Sequence, residues 1–252
     1  NIDLYKHIVK IKKNILITGG LGFIGQNLVK FFLKKNWNVH IIDNLSSINS
    51  VKKYLFDLNR VKIFYLDIGD SSKISSFFNK KNYDFIIHAA ANFANQNSID
   101  HPRKDMKTNI LGTINILECI KRKNLKKIIY LSSSCVYPSE NNLTEHSKLR
   151  PVETPYAISK FTSELYAEFY SSFYKLPINI VRIFNTYGPG EKAHKYRNVI
   201  PNFINSALKN QPIIITGSGN EIRDFTYVED VAEIIFKSLS LKKKRLQIIN
   251  SC

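Results

Sequence analysis

The amino-acid sequence predicts an α/β protein built on a doubly wound parallel sheet. Two observations carry that prediction. Short apolar segments rich in isoleucine alternate with longer stretches in which apolar residues recur at helical spacing; strands that alternate with helices form a parallel sheet covered on both faces. The first of these strands also runs straight into three glycines spaced three apart, Gly19, Gly22 and Gly25, ahead of an amphipathic stretch.

Ile15-Leu16-Ile17 is the first strand, and Leu28, Val29, Phe31, Phe32 and Leu33 mark the next element, a helix. Between them Gly19 permits a sharp turn, Gly22 lets the backbone approach a pyrophosphate, and Gly25 lets the helix lie close to the strand. The helix N-terminus offers free N–H groups and a positive dipole end to phosphates. Val39 to Ile42 form the second strand, which ends in Asp43, eighteen residues beyond Gly25. That is close to the roughly 20-residue spacing of an acid that binds the adenosine ribose 2′-hydroxyl. A carboxylate there repels a 2′-phosphate, so NAD is expected rather than NADP. A glycine triplet by itself is a weak signal, since turns use glycine for many reasons. Strand, glycines, helix, strand and acid in that order define a Rossmann-type dinucleotide site.

Residues 48–58 read as helical. Val61 to Leu66 form a third strand that ends at Asp67-Ile68, and Ser71 to Lys80 a helix. Phe85 to Ile87 form a fourth strand running into His88-Ala89-Ala90-Ala91, small residues that suit a close ligand or simple tight packing equally. Asp105 to Lys123 read as one long helix with Ile110, Ile114, Leu117 and Ile120 on its apolar face; Asn109, within it, reads alone as an ordinary surface residue. Lys127 to Leu131 form the fifth strand, followed by Ser132-Ser133-Ser134-Cys135. A polar surface loop leads to Thr154, a helix cap, and Pro155, which suits a first helical turn. Asn179 to Ile183 make a sixth strand.

The bulk properties set limits. A chain of 252 residues is long enough for one large domain or one and a half, and 44% hydrophobic content supplies a sizeable core. Three cysteines, Cys119, Cys135 and Cys252, are too few and too scattered for a disulfide framework or a zinc site, so no metal is expected. The simple inference is a reducing cytoplasm. No apolar run approaches the ~20 residues of a membrane span. The opening stretch, 1–13, lacks a signal-peptide core, and its first residue, Asn rather than Met, reads as a start that lies upstream. The net charge of +17 invites a nucleic-acid partner. The lysines are spread along the whole chain, however, many on polar faces of predicted helices, with no arginine-rich tract. They read as a solvated surface whose positive field attracts an anionic substrate.

Tyr156 and Lys160 stand four apart on a predicted helix and so share one face. A phenol with a resting pKa near ~10 is a poor base at neutral pH. A neighbouring ammonium is expected to lower that pKa and make the phenol a usable proton acceptor. Ser133, at the end of a strand, is placed to hold the same substrate oxygen. By itself a Tyr-x-x-x-Lys pair is common; after five strands of this pattern and a serine cluster it points to chemistry.

These stretches together resemble the extended short-chain dehydrogenase/reductases, in the nucleotide-sugar epimerase/dehydratase family. The likeness rests on Thr18 to Gly25, Asp43 to Ser47, Asp67-Ile68, His88 to Ala90 and Asn109 to Thr113. It continues through Ser132 to Tyr137, Tyr156 to Lys160, Arg182 to Pro189 and Arg223 to Phe225, all in family order. The resemblance implies NAD as cofactor and a nucleotide-sugar substrate. It implies that Gly19, Gly22, Phe23, Ile24 and Gly25 line the pyrophosphate. Asp43 and Asn44 then hold the adenosine ribose, Asp67 and Ile68 the adenine, and Ala89, Ala90 and Asn109 border the cofactor. Tyr156 becomes the general base, Lys160 the partner of the nicotinamide ribose, and Ser133 the group that orients the substrate oxygen. Asn185 and Arg223 match contacts to the nucleotide diphosphate, for which a guanidinium with two hydrogen bonds is well suited. Residues 1–185 are expected to form the NAD-binding Rossmann domain. Residues 186–252 are expected to form part of a small, incomplete substrate-binding region, with some elements returning to the first domain. A homodimer through the helices at 105–123 and 155–175 is a family expectation.

The departures from the family pattern narrow the reaction. The 4,6-dehydratases carry two acids, and the sugar-acid decarboxylases a glutamate, where this chain has Ser133-Ser134-Cys135. The run Ser-Cys-Val-Tyr-Pro resembles enzymes that use a cysteine for proton exchange at sugar carbons with a His or Lys partner before a later proline. Here that position is Asn198, with Lys192, His194 and Lys195 nearby. Cys135 therefore reads as a small packing residue, and the expectation is 4-epimerisation of a UDP-hexose through a 4-keto sugar. The alternatives are GDP- or dTDP-sugar reactions of the same family, a silent dinucleotide sensor, which the intact Ser133, Tyr156 and Lys160 oppose, and a nucleic-acid-binding relative suggested by charge alone.

Overall fold

The computed structural model describes residues 13–47, 54–140, 142–215, 217–241 and 246–252. The opening stretch up to residue 12 and the predicted helical positions 48–53 lie outside the described residues; positions 54–57 are not helical, and a single 3-10 turn occupies Leu58–Arg60.

In chain order the first elements are β1 (Asn14–Thr18), α1 (Phe23–Lys34), β2 (Asn38–Asp43), β3 (Val61–Tyr65), α2 (Ser71–Asn79), β4 (Phe85–His88) and α3 (Asn95–Asp100). They are followed by α4 (Pro102–Asp105), α5 (Gly112–Ile120), β5 (Lys127–Ser133), α6 (Pro155–Phe173), β6 (Ile178–Ile183), β7 (Asn185–Tyr187) and α7 (Val199–Leu208). The chain closes with β8 (Phe225–Tyr227), α8 (Val228–Leu239) and β9 (Gln247–Ser251). Seven strands form one sheet in the order β3-β2-β1-β4-β5-β6-β9, every neighbouring pair parallel. The pleat sends alternate side chains to opposite faces. Ile15 and Ile17 of β1 enter a core with Leu28, Phe32 and the α8 residues Val231 and Ile235. Leu16 enters the other core, with Ile74, Ile116 and Ala167 from α2, α5 and α6. The sheet is thus doubly wound, as the sequence predicts.

The chain runs outward from β1 to β2 and β3, then returns to the far side of β1 as β4. Strand order therefore reverses between β1 and β4, and a crevice opens beyond the carboxyl ends of those strands. The Thr154 hydroxyl caps α6 by accepting the Ala157 N–H at 3.2 Å, with Pro155 in the first turn. That fixes where Tyr156 and Lys160 begin.

The predicted long helix at 105–123 needs correction. It is α4, a π-type turn over Met106–Leu111, and α5. The wide turn inserts a residue into the helical ladder and rotates the helix beyond it. The face that ends up buried carries Asp105, Asn109, Thr113, Ile116, Leu117 and Ile120, while Ile110 and Ile114 are half-buried. Asn109 is thus a core residue rather than a surface one.

Beyond β6 the chain makes a small second sheet, β7 with β8, then sends α8 back against α1 and places β9 beside β6. A buried ion pair secures this edge. Arg182 on β6 donates to both carboxylate oxygens of Glu164 on α6, at 3.0 and 2.7 Å, and to the Tyr137 hydroxyl at 2.7 Å. Tyr137 in turn donates to Asn250 of β9 at 2.8 Å.

Candidate active site

A cleft of about 400 Å³ lies beyond the carboxyl ends of the central strands. Its floor at one end is the glycine turn. Gly19 has φ +67°, and a Cβ there would sit 2.7 Å from Ala90 Cα. A Cβ on Gly25 would meet the Gly19 carbonyl oxygen at 2.0 Å. Bare backbone is what lets the turn, the helix start and the Ala89–Ala90 strand exit close up. Gly22 precedes α1 in extended conformation, no side chain caps the helix, and its first residues, Phe23 and Ile24, line the cleft. Asp43 closes this end. One carboxylate oxygen accepts the Leu21 N–H at 3.0 Å and the other the Leu45 N–H at 2.8 Å. Burial raises its pKa, opposed by those two backbone donors.

The other end carries the titratable groups. Ser133 ends β5, and its hydroxyl accepts the Cys135 N–H at 3.2 Å. Tyr156 is held from two sides: its N–H donates to the Ser98 hydroxyl at 3.0 Å, and the Phe93 ring meets its ring edge to face at 5.8 Å. Lys160 donates to the Leu131 carbonyl at 2.8 Å, with its ammonium 5.8 Å from the Tyr156 ring centre. Burial lowers the Lys160 pKa to about 8, so the group is still mostly an ammonium at neutral pH. The expected lowering of the Tyr156 pKa by Lys160 is corrected. Complete burial pushes the phenol well above its ordinary value, reinforced by Cys135 and Tyr130, while a hydrogen bond with Ser133 pulls the other way.

Of the residues singled out in the sequence, Gly19, Gly22, Phe23, Ile24, Gly25, Asp43, Asn44, Ile68, Ala89, Ala90, Ser133, Tyr156, Lys160 and Asn185 line this one cleft. Three do not. Asp67 is half-buried beside it and accepts the Gly69 N–H at 2.8 Å. Asn109 lies beneath the cleft floor, where it accepts the Asn92 N–H at 2.8 Å and donates to Asp105 at 2.7 Å and to Ser159 at 3.1 Å. It braces the 89–94 loop against α6 and does not border the open space. Arg223 is exposed, two residues before β8, its guanidinium on its own neighbour's carbonyl. Asn185, which does line the cleft, donates to the adjoining Asp224 carbonyl at 3.0 Å. Cys135 lines the cleft too and is half-buried there.

The opposite wall, 191–198, escapes sequence reasoning apart from Asn198 and its neighbours Lys192, His194 and Lys195. It contributes Glu191, whose pKa burial raises to about 7 against the pull of Arg197, and Tyr196, which donates with Lys195 to Asp100. No motif spacing marks these residues: Lys195 and Tyr196 find their partner in Asp100, far off in sequence, and Glu191 owes its state chiefly to burial.

A parallel sheet with a glycine-turn cleft at its strand-order reversal, joined to a Ser–Tyr–Lys group, defines a dinucleotide-dependent enzyme of the short-chain dehydrogenase/reductase type. The family model of the NAD dependent epimerase/dehydratase family matches residues 15–250. The chain belongs to that family; its cofactor is NAD and its substrates are nucleotide sugars. It is 37% identical over 238 residues to a putative UDP-glucose 4-epimerase of Methanocaldococcus jannaschii, a match covering 93% of this chain and 76% of the relative. It is 38% identical over 237 residues to a dTDP-D-glucose 4,6-dehydratase of Dictyostelium discoideum, covering 87% of this chain and 54% of that one. The solved structure of an epimerase from Methanothermobacter thermautotrophicus superposes with a TM-score of 0.89 at 37% identity, covering 95% of this chain and 72% of that one.

The cleft fits the cofactor. The glycine cradle is one that any side chain would fill, and the uncapped start of α1 faces it. Asp43 stands at the end of β2, where a ribose hydroxyl would meet it.

Proposed function

We propose that this protein is a nucleotide-sugar 4-epimerase acting on a UDP-hexose through a transient 4-keto sugar. The observation that carries the reading is the make-up of the catalytic wall. Ser133, Cys135, Tyr156 and Lys160 line it, and the run Ser132 to Val136 contains no carboxylate. The acids that dehydration and decarboxylation require in this loop are missing, while the groups that move a proton at a sugar hydroxyl are in place.

In this reading the Ser133 hydroxyl orients the sugar O4 and Tyr156 takes its proton. Tyr156 accepts that proton as the phenolate, which Lys160, as the ammonium, stabilises against the burial that favours the phenol; Lys160 also holds the nicotinamide ribose. NAD, when bound, would supply a reversible hydride acceptor for C4, so that the overall reaction would involve no net redox change. Gly19, Gly22, Phe23, Ile24 and Gly25 hold the pyrophosphate, Asp43 and Asn44 the adenosine ribose, and Asp67 with Ile68 the adenine. Ala89 and Ala90 flank the cofactor, and Asn109 supports them from below. Asn185 faces the nucleotide diphosphate; Arg223, exposed outside the cleft, is the second diphosphate contact and must swing in to make it. Residues 1–185 act as the cofactor-binding unit and 186–252 contribute to the sugar side, with α8 and β9 returning to the first unit. A homodimer forms through the exposed apolar side chains of α6, among them Leu165, Phe169 and Phe173, with Met106 and Leu111 beside them; light scattering should return twice the chain mass.

Proton NMR of UDP-glucose and UDP-N-acetylglucosamine, incubated with the protein without added cofactor, tests the reaction. Conversion of either to its galacto epimer is expected. Proton exchange at C3 or C5 of the sugar in deuterium oxide, without 4-epimerisation, would replace this reading with one in which Cys135 is the acid/base group.

A further inference from the structure

A dinucleotide pyrophosphate brings two negative charges into the cleft. The glycine turn meets them with backbone N–H groups alone, since residues 19–25 and 42–47 contain no lysine or arginine. Among the described residues, the cations lining the cleft are Lys160, Lys195 and Arg197. Lys160 is committed to the Leu131 carbonyl at the catalytic end, and Lys195 to Asp100.

Arg197 is placed differently. Its guanidinium donates to the Ser47 hydroxyl at 3.2 Å and lies over the Phe93 ring, 5.4 Å from the ring centre. Ser47 lies just past the carboxyl end of β2, and Phe93 just past the carboxyl end of β4. In the sheet β1 lies between those two strands, and the glycine turn is the exit of β1. A side chain that touches both flanking loops therefore spans the cleft across from the glycine turn. The segment carrying it is pinned on both sides. Asn202 on α7 accepts the His194 N–H at 3.0 Å and donates to the Arg197 carbonyl at 3.0 Å, while Tyr196 donates to Asp100 of α3 at 2.8 Å.

We propose that Arg197 is the counter-cation of the NAD pyrophosphate, delivered across the cleft from the substrate-side wall, so that cofactor retention depends on this segment as well as on the glycine turn. A guanidinium can bind phosphate oxygens through two charge-assisted hydrogen bonds, and the Phe93 ring and the Ser47 hydroxyl keep this one at the cleft. The role concerns cofactor retention and stands whichever sugar is the substrate.

The test compares the full chain with Arg197→Gln and Arg197→Lys. NAD released from each purified protein by heat is quantified, and binding of NAD, ADP-ribose and UDP is measured by titration calorimetry at two salt concentrations. Arg197→Gln should retain little NAD and lose about 10- to 100-fold in affinity for both NAD and ADP-ribose, the range for one lost charge-assisted contact. Its NAD affinity should also fall less steeply with salt. Arg197→Lys, which keeps the charge, should lose less. Undiminished NAD retention and affinity in Arg197→Gln would overturn the assignment. So would a loss for NAD with ADP-ribose unaffected, which would move Arg197 to the nicotinamide end. A loss confined to UDP would place it on the substrate's diphosphate instead and would equally end the proposal.

Discussion

The two walls of the cleft are built on different principles. The wall of β1, β2, β5 and α6 is assembled from strand ends and helix starts whose side chains are buried, so each functional group inherits its position from the core. The wall formed by residues 185–198 hangs on a two-stranded sheet and on side-chain hydrogen bonds such as Asn27 to the Pro189 carbonyl at 2.9 Å. The first wall holds the chemistry rigidly. The second meets it across open space, where position is set by a few polar contacts and is correspondingly easier to change.

Gly25→Val should produce the largest effect. A Cβ there would lie 2.0 Å from the Gly19 carbonyl oxygen, backbone against backbone, with no flexible atom to give way. A loss of about 3 kcal/mol or more is expected from such overpacking, seen as a lower melting temperature or insoluble protein, along with loss of bound NAD. A variant that melts normally with NAD bound would show the first wall to be far more plastic than its geometry implies.

Tyr156→Phe comes next. It removes one hydroxyl from the catalytic wall and leaves the packing against Phe93 in place. Turnover should fall by about 10²- to 10⁴-fold, the ordinary worth of a positioned general base, with NAD content unchanged. Near-normal turnover would remove Tyr156 from the proton transfer.

The two walls also differ in how much of them the sequence discloses. The glycine turn, Asp43, and the Tyr156–Lys160 pair are legible because local rules fix them: a turn that excludes side chains, an acid at a set distance, two residues one helical turn apart. Asn109 is misread for a local reason as well, since the π-type turn that rotates it inward leaves no mark in the apolar spacing. The Tyr156 pKa goes astray because the sequence shows the neighbouring charge and hides the burial. Arg197 and Glu191 are silent for a different reason. Arg197 acquires its meaning from Ser47, 150 residues away, and nothing near it in sequence announces that meeting.

Acidification should strain the first wall in particular. His88 bridges Thr18 of β1 at 2.7 Å and Thr113 of α5 at 3.0 Å. Its complete burial lowers its pKa from 6.5 to about 3. Between those values the unfolded chain binds a proton that the folded chain refuses, so stability falls as pH drops below about 6.5. One proton corresponds to about 1.4 kcal/mol per pH unit, or about 2 kcal/mol by pH 5. His88→Gln should melt less steeply with pH over that window, by close to one proton in urea unfolding. An unchanged slope would mean that His88 titrates normally and that this corner is open to water.

The smallest effect is expected on the second wall, from Asn202→Ala. Asn202 contributes no packing to the sheet; it holds the His194 N–H and carbonyl and the Arg197 carbonyl. Each such bond is worth about 1 kcal/mol, and part of that returns as hydrogen bonds to water because the segment is only partly buried. The melting temperature should therefore barely move. NAD retention should drop a few-fold, because Arg197 is then no longer held toward Ser47 and Phe93. A large fall in melting temperature with NAD retention intact would reverse the distinction between the walls, making 191–202 part of the folding core and leaving the glycine turn to hold the cofactor alone.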